Sequence, residues 1–143
     1  LYLSSDELEA HNKKLIEKYR TIEEKEVKVE EYMIDDAELV FAAYGTTSRI
    51  CRSALDMLRE EGYKVGLIRP ITIWPYPYKS FENLNENVKD VLVVEMNQGQ
   101  MTDDVKIGVR GRQDVHFYGR QGGNIPSTEE VYEYAKKILD GGK

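Results

Sequence analysis

ELVFAAYGTTSRICRSALDMLREEG, Glu38 to Gly62, decides the fold. Leu39, Val40, Phe41, Ala42 and Ala43 form an unbroken apolar run, the pattern of a strand covered on both faces within a parallel sheet. Gly45 permits a tight turn. Thr46, Thr47 and Ser48 follow with hydroxyls suited to capping the free N–H groups of the next helix. In that helix Ile50, Cys51, Ala54, Leu55 and Leu58 recur at i, i+1, i+4, i+5 and i+8, so one face is apolar, and Gly62 stops it. The stretch reads as strand, turn, helix.

The turn admits two readings. A glycine before a helix N-terminus presents N–H donors and a positive dipole end to an anion. Tyr44-Gly45-Thr46-Thr47-Ser48, however, holds one glycine where a dinucleotide fingerprint needs three, and it has no P-loop lysine. A capped βα turn is the plainer reading. On it, Thr46→Ala and Thr47→Ala cost stability on the order of 0.5 to 2 kcal/mol through a lost cap.

Outward from this unit, Tyr63 to Arg69 (YKVGLIR) is a second short strand, parallel to the first across a right-handed crossover. Three prolines, Pro70, Pro75 and Pro77, then stiffen PITIWPYP and hold Trp74 and Tyr76 on an extended loop. The aromatic pair either covers the chain's own core or anchors a partner. Tyr78 to Asn87 supports a short helix through Phe81 and Leu84, and Asp90 to Glu95 is a third strand. Its end, Glu95-Met96-Asn97-Gln98-Gly99-Gln100-Met101, puts polar side chains where open α/β sheets place their sites. Glu95 there is an acid or base, or a cap for a neighbouring helix end; no second carboxylate or histidine of known proximity supports catalysis. Met101 and Val105 face the sheet from the next helix.

Asp114 to Tyr118 is a fourth parallel strand, followed by a glycine-rich loop in which Arg120 is placed to meet an anion. Pro126, Ser127 and Glu130 open the last helix with a capping box, and Gly141 and Gly142 close it. Upstream, Glu26 to Tyr32 alternates charge with Val27 and Val29, which suits a strand at the sheet edge. Ser4 with Glu7 signals another capping box, and Leu8, Leu15, Tyr19 and Ile22 give that first helix a narrow seam for lying across another surface.

Composition bounds the function. At 143 residues, 41% hydrophobic and 32% charged, the chain suits one globular domain. Residues 1 to 37 carry eleven acids and six bases, and the remainder is nearly balanced. Nucleic acid binding needs a basic face and is excluded; no apolar run reaches membrane length. One cysteine, Cys51, forms no internal disulfide and no four-cysteine cluster, which with the absence of a signal-peptide pattern points to a reducing, cytoplasmic setting. His11 and His116 have no metal-ligand spacing around them. A chain that opens on Leu1 reads as a piece of something longer.

Tyr44-Gly45-Thr46-Thr47, Leu67-Ile68-Arg69-Pro70, Trp74-Pro75-Tyr76-Pro77 and Val94 to Gln100 resemble the C-terminal region of the alpha subunit of 2-oxoacid:ferredoxin oxidoreductases, of the 2-oxoisovalerate type. The resemblance implies the transketolase C-terminal fold: a three-layer α/β/α sandwich over a five-stranded mixed sheet with one antiparallel edge strand, behind an N-terminal helical linker arm at residues 1–25. It implies a whole enzyme that decarboxylates a branched 2-oxoacid with thiamine diphosphate and magnesium, passes electrons through iron–sulfur clusters to ferredoxin, and forms an acyl-CoA. With neither cluster cysteines nor a diphosphate motif here, those cofactors are expected in other domains or subunits, and this domain is expected to support assembly. No catalytic, cofactor or metal residue is transferred. The candidate interface or loop contacts are Gly45, Thr46, Thr47, Arg69, Trp74, Tyr76, Glu95, Asn97, Gly99, Gln100 and Arg120. The alternative is an independent Rossmann-like nucleotide- or anion-binding module.

Overall fold

Leu39–Ala42 (β2) is fully buried because both of its faces are roofed by helices. A computed structural model describes residues 2–141; Gly142, expected to help close the last helix, lies outside them. Around β2 run Ser5–Lys25 (α1), Val29–Tyr32 (β1), Gly45–Glu60 (α2), Val65–Pro70 (β3), Tyr78–Glu82 (α3), Asp90–Glu95 (β4), Gln100–Val109 (α4), Asp114–Gly119 (β5) and Thr128–Leu139 (α5). The sheet order is β1-β3-β2-β4-β5, with β1 antiparallel to β3 and the other pairs parallel. This is the expected mixed sheet, with the charged strand at its edge.

Alternation along β2 divides the core. Leu39, Phe41 and Ala43 pack with Cys51, Leu55 and Leu58 of α2 and Val131 and Ala135 of α5. Val40 and Ala42 pack on the opposite face with Phe81 of α3 and Met101 and Val105 of α4. Two helical layers therefore sandwich the sheet, as period-2 alternation requires when both faces are dry.

Several local expectations need correction. The edge strand begins at Val29, not Glu26, because α1 runs to Lys25 and Glu26 closes it with an N–H donated to the Ile22 carbonyl. The Ser4 side chain makes no cap, so the first capping box does not form, whereas Ser127 and Glu130 satisfy each other as expected. α3 stops at Glu82; Leu84 is buried from the loop that follows. No residue of α1 is buried: Leu15 and Ile22 are half-buried while Leu8 and Tyr19 stand largely exposed. Among the described residues no helix is long and apolar enough to cross a membrane.

Candidate functional site

Because β2, β3, β4 and β5 run the same way, their carboxyl ends gather along one rim. Gly45 to Thr47 follow β2; Arg69 lies at the end of β3, ahead of Trp74 and Tyr76; Glu95 ends β4, ahead of Asn97, Gly99 and Gln100; Arg120 follows β5. The order reverses at β2, with β3 on one side and β4 on the other. Such switch points are where open α/β sheets hold ligands.

At the rim's centre Glu95 is 1% exposed. Its carboxylate accepts the Met101 N–H at 3.1 and 3.2 Å and the Asn97 side-chain amide at 2.9 Å. Met101 is the second residue of α4, so the negative charge sits at the positive end of that helix. Asn97 Oδ1 accepts the Gly99 N–H at 2.7 Å, closing a turn in which Gly99 takes φ +94°, a conformation glycine adopts without strain. Of the two readings of Glu95, the geometry is that of a helix cap. The Asn97 amide also approaches the Tyr44 hydroxyl at 3.4 Å; burial first, and then the charge of Glu95, raises the affinity of that phenol for its proton. Tyr44 belongs to the turn motif read from sequence but not to the contacts expected there, because its strand-terminal setting carries no local signal of this one.

The glycine turn departs from expectation. α2 begins at Gly45, with φ +57°, and its first turn has no side-chain cap. The Thr47 and Ser48 hydroxyls instead donate to the carbonyls of Tyr44 and Gly45, both at 2.7 Å. Thr47 is 3% exposed and Thr46 open to solvent. Thr47→Ala is therefore expected to cost about 1 kcal/mol through a lost buried hydrogen bond, and Thr46→Ala to be neutral within about 0.5 kcal/mol. Urea unfolding of the two single variants checks this. Equal losses at both positions would restore the capping account.

Arg69 and Arg120 are both paired. Arg69 donates to Glu30 at 2.9 Å, Arg52 reaches the same carboxylate at 3.0 Å, and its guanidinium lies 3.9 Å over the Tyr32 ring. This group ties edge strand β1 to β3 and α2, and only the tertiary fold assembles it. Arg120 donates to Glu130 at 2.7 Å, so the expected anion contact is an internal ion pair between the glycine-rich loop and α5. Gln98, within the polar stretch read from sequence, and Gln121 join the β4 and β5 loops at 3.0 Å, a contact that sequence reasoning missed.

Depressed carboxyls give the fold an acid limit. Arg69 foremost, with Arg52, holds Glu30 below the usual range; Arg59 does so for Asp36; Lys136 and then Tyr132 do so for Glu61. Each binds its proton more weakly in the folded chain than in the unfolded one. Their contribution is complete above the ordinary carboxylate values and is lost as pH falls through the depressed ones. The urea midpoint is expected to hold between about pH 7 and 5 and to fall below about pH 4.

Trp74 and Tyr76 divide between the two readings made of them. Tyr76 is 6% exposed and stacks on Phe81, with ring centroids 5.6 Å apart, so it covers the chain's own core. Burial, and secondarily the charges of Asp104 and Glu95, drives its phenol well above the usual tyrosine range. Trp74 is 56% exposed and meets Tyr19 of α1 in a T-shaped contact at 5.8 Å. Beside them the Tyr78 hydroxyl donates to Asp104 at 2.6 Å, a bond that pushes it up to about 12.

Residues 37–131 match the family described as pyruvate:ferredoxin oxidoreductase core domain II. The chain belongs to this family. As a domain II it is 44% identical over 138 residues to ketoisovalerate oxidoreductase subunit VorB of Methanothermobacter marburgensis, covering 96% of this chain and 39% of that protein. It is 34% identical over 119 residues to 2-oxoglutarate synthase subunit KorA of the same organism, covering 83% of this chain and 32% of the relative. The domain II chain thus spans about two fifths or less of the length of these relatives. Its fold is that of 2-oxoglutarate:ferredoxin oxidoreductase from Magnetococcus marinus, solved with 2-oxoglutarate, coenzyme A and succinyl-CoA bound. The TM-score there is 0.77 at 23% identity, covering 96% of this chain and 24% of that one. It is also the fold of a split-gene transketolase solved as an inactive beta4 tetramer, with TM-score 0.65 at 13% identity over 81% of this chain and 42% of that one. The transketolase C-terminal likeness expected from the motifs is therefore the fold found.

The donor set of domain II does not fit the iron–sulfur clusters or the magnesium that the family resemblance implies. An iron–sulfur cluster is ordinarily held by four thiolates, and by two at the least where histidines replace the others. The single cysteine, Cys51, is sealed in the α2 core, where burial pushes its thiol up. Among the described residues no three His, Cys, Asp or Glu side chains converge to hold a metal such as the magnesium of a diphosphate site. The most buried carboxylate, Glu95, is already engaged by Met101 and Asn97.

Proposed function

We propose that this chain is a non-catalytic assembly domain of the alpha subunit of a thiamine-diphosphate-dependent 2-oxoacid:ferredoxin oxidoreductase, with residues 1–25 as its linking arm. The whole enzyme would oxidatively decarboxylate a branched 2-oxoacid such as 2-oxoisovalerate to its acyl-CoA and reduce ferredoxin. It would work in the cytoplasm, with thiamine diphosphate, magnesium and iron–sulfur clusters in its other domains or subunits. The 44% identity to a ketoisovalerate oxidoreductase subunit supports the substrate class. One observation supports the non-catalytic role: the buried carboxylate at the switch point caps α4, its oxygens engaged by the Met101 N–H and the Asn97 amide instead of standing open for proton transfer.

On this reading the surface offered to partners comprises exposed Trp74, the arm, and the outer face of the Asn97 to Gln100 turn. The isolated chain is expected to show no 2-oxoisovalerate-dependent reduction of a viologen dye with thiamine diphosphate, magnesium and CoA supplied. Turnover by the isolated chain would overturn the reading.

A second reading, an independent anion- or nucleotide-binding module, is favoured by the uncapped N–H groups at the start of α2. Titration calorimetry with nucleotides, thiamine diphosphate and CoA separates the two. Saturable heat from the isolated chain would favour the module.

A further inference from the structure

A cleft of about 1060 Å³ opens between the last turns of α1 and the proline-rich loop leading into α3. Its walls differ in kind. One is aromatic: Trp74, Tyr76 and Tyr78 line it, alternating with Pro75 and Pro77. The other is acidic, with Glu23 and Glu24 from α1 and Asp104 from α4. None of these three carboxylates has an ion-pair partner among the described residues. Two bases also line it, Arg20, already paired with Glu17 at 2.9 Å, and exposed Lys79; with Glu82, itself paired with Arg110, the lining carboxylates outnumber them.

Two further features leave the cleft short of a partner. Trp74 keeps more than half its surface in water although its loop is fixed, with Thr72 Oγ1 accepting the Lys28 N–H and bonded to the Pro75 carbonyl, both at 3.0 Å. The Tyr76 hydroxyl has lost its water on burial and has no hydrogen-bond partner among the described residues. A rigid exposed indole beside unpaired carboxylates selects a cation on an apolar stem, because the indole face attracts positive charge and the carboxylates neutralise it. The same charges repel an anionic lipid surface or a nucleic acid.

We propose that this cleft receives an arginine- or lysine-bearing segment of a partner polypeptide, its cation held by the Trp74 face and by Glu23, Glu24 and Asp104. The proposal rests on the assembly reading and gives that assembly its chemistry. Trp74 is the only tryptophan, so indole fluorescence reports on the cleft directly. The probe is an eight-residue amidated peptide alternating arginine and serine, titrated into the full chain beside its glutamate–serine counterpart. A saturable change is expected with the arginine peptide alone. A Glu23→Gln, Glu24→Gln double variant, altered only at exposed helix positions, is expected to bind about ten-fold more weakly, the size of two surface ion pairs. Weakening of three-fold or more supports the proposal. No saturable change, an equal response to the glutamate peptide, or weakening below three-fold overturns it. Such a failure leaves the assembly reading standing, because that reading falls to other results: turnover by the isolated chain, saturable binding of nucleotides, thiamine diphosphate or CoA to it, or unchanged amide exchange within the assembled complex.

Discussion

Glu95→Ala is expected to lower the unfolding free energy by about 3 kcal/mol, with the urea midpoint falling and the m-value unchanged. The side chain is 1% exposed, and its oxygens serve the Met101 N–H and the Asn97 amide. Truncation strands both donors in a dry site at the α4 N-terminus and removes a favourable charge–dipole contact. Glu95→Gln keeps one acceptor in nearly the same volume and is expected to cost about 1 kcal/mol, so the pair of variants separates the hydrogen bonds from the charge. A cost below about 0.5 kcal/mol for both would show that the carboxylate does not serve as a cap.

Phe81→Ala is expected to cost more, about 4 kcal/mol, the range of a fully buried aromatic truncated in a close-packed layer. Phe81 has no exposed surface, and it stacks on Tyr76 and abuts α4 where only a glycine fits: a Cβ at Gly108 would lie 2.7 Å from the Phe81 Cβ. The loss should be felt beyond α3, because Tyr76 holds the proline-rich loop to the core through that stacking. Phe81→Leu, which refills most of the space, is expected to lose about 1.5 kcal/mol. Unfolding curves and the Trp74 emission of the three proteins check both statements. An alanine variant as stable as the parent would mean that α3 is not a structural layer of the domain.

Elements whose signal is local were legible from sequence. The Leu39 to Ala43 run and the apolar face of α2 follow from periodicity, Gly62 from helix termination, and the Ser127 and Glu130 capping box from residue spacing. The charge of Glu30 and Glu31 was enough to place β1 at an edge. The fates of polar groups that find partners across the fold were not legible. Ser4 and Ser127 carry the same capping pattern, yet only Ser127 uses it; α1 rests on little and its N-terminus stays in water. Thr47 and Ser48 hold hydroxyls of the expected type, but α2 already starts at Gly45, so those hydroxyls fall inside the helix and donate to carbonyls. Arg120 looked free because Glu130 lies ten residues away, across a loop that only the folded chain closes. The candidate rim itself was readable, since parallel strands separated by helices must bring their carboxyl ends together.

The most direct test of the proposed assembly role is amide hydrogen exchange of this chain, alone and in complex with the partner subunits that the proposal assigns to it. The account predicts slowed exchange on complex formation in α1, the Ile71 to Tyr78 loop and the Met96 to Gln100 turn, and little change in β2, which is already buried. Unchanged exchange in all three exposed segments within an assembled, active complex would contradict it.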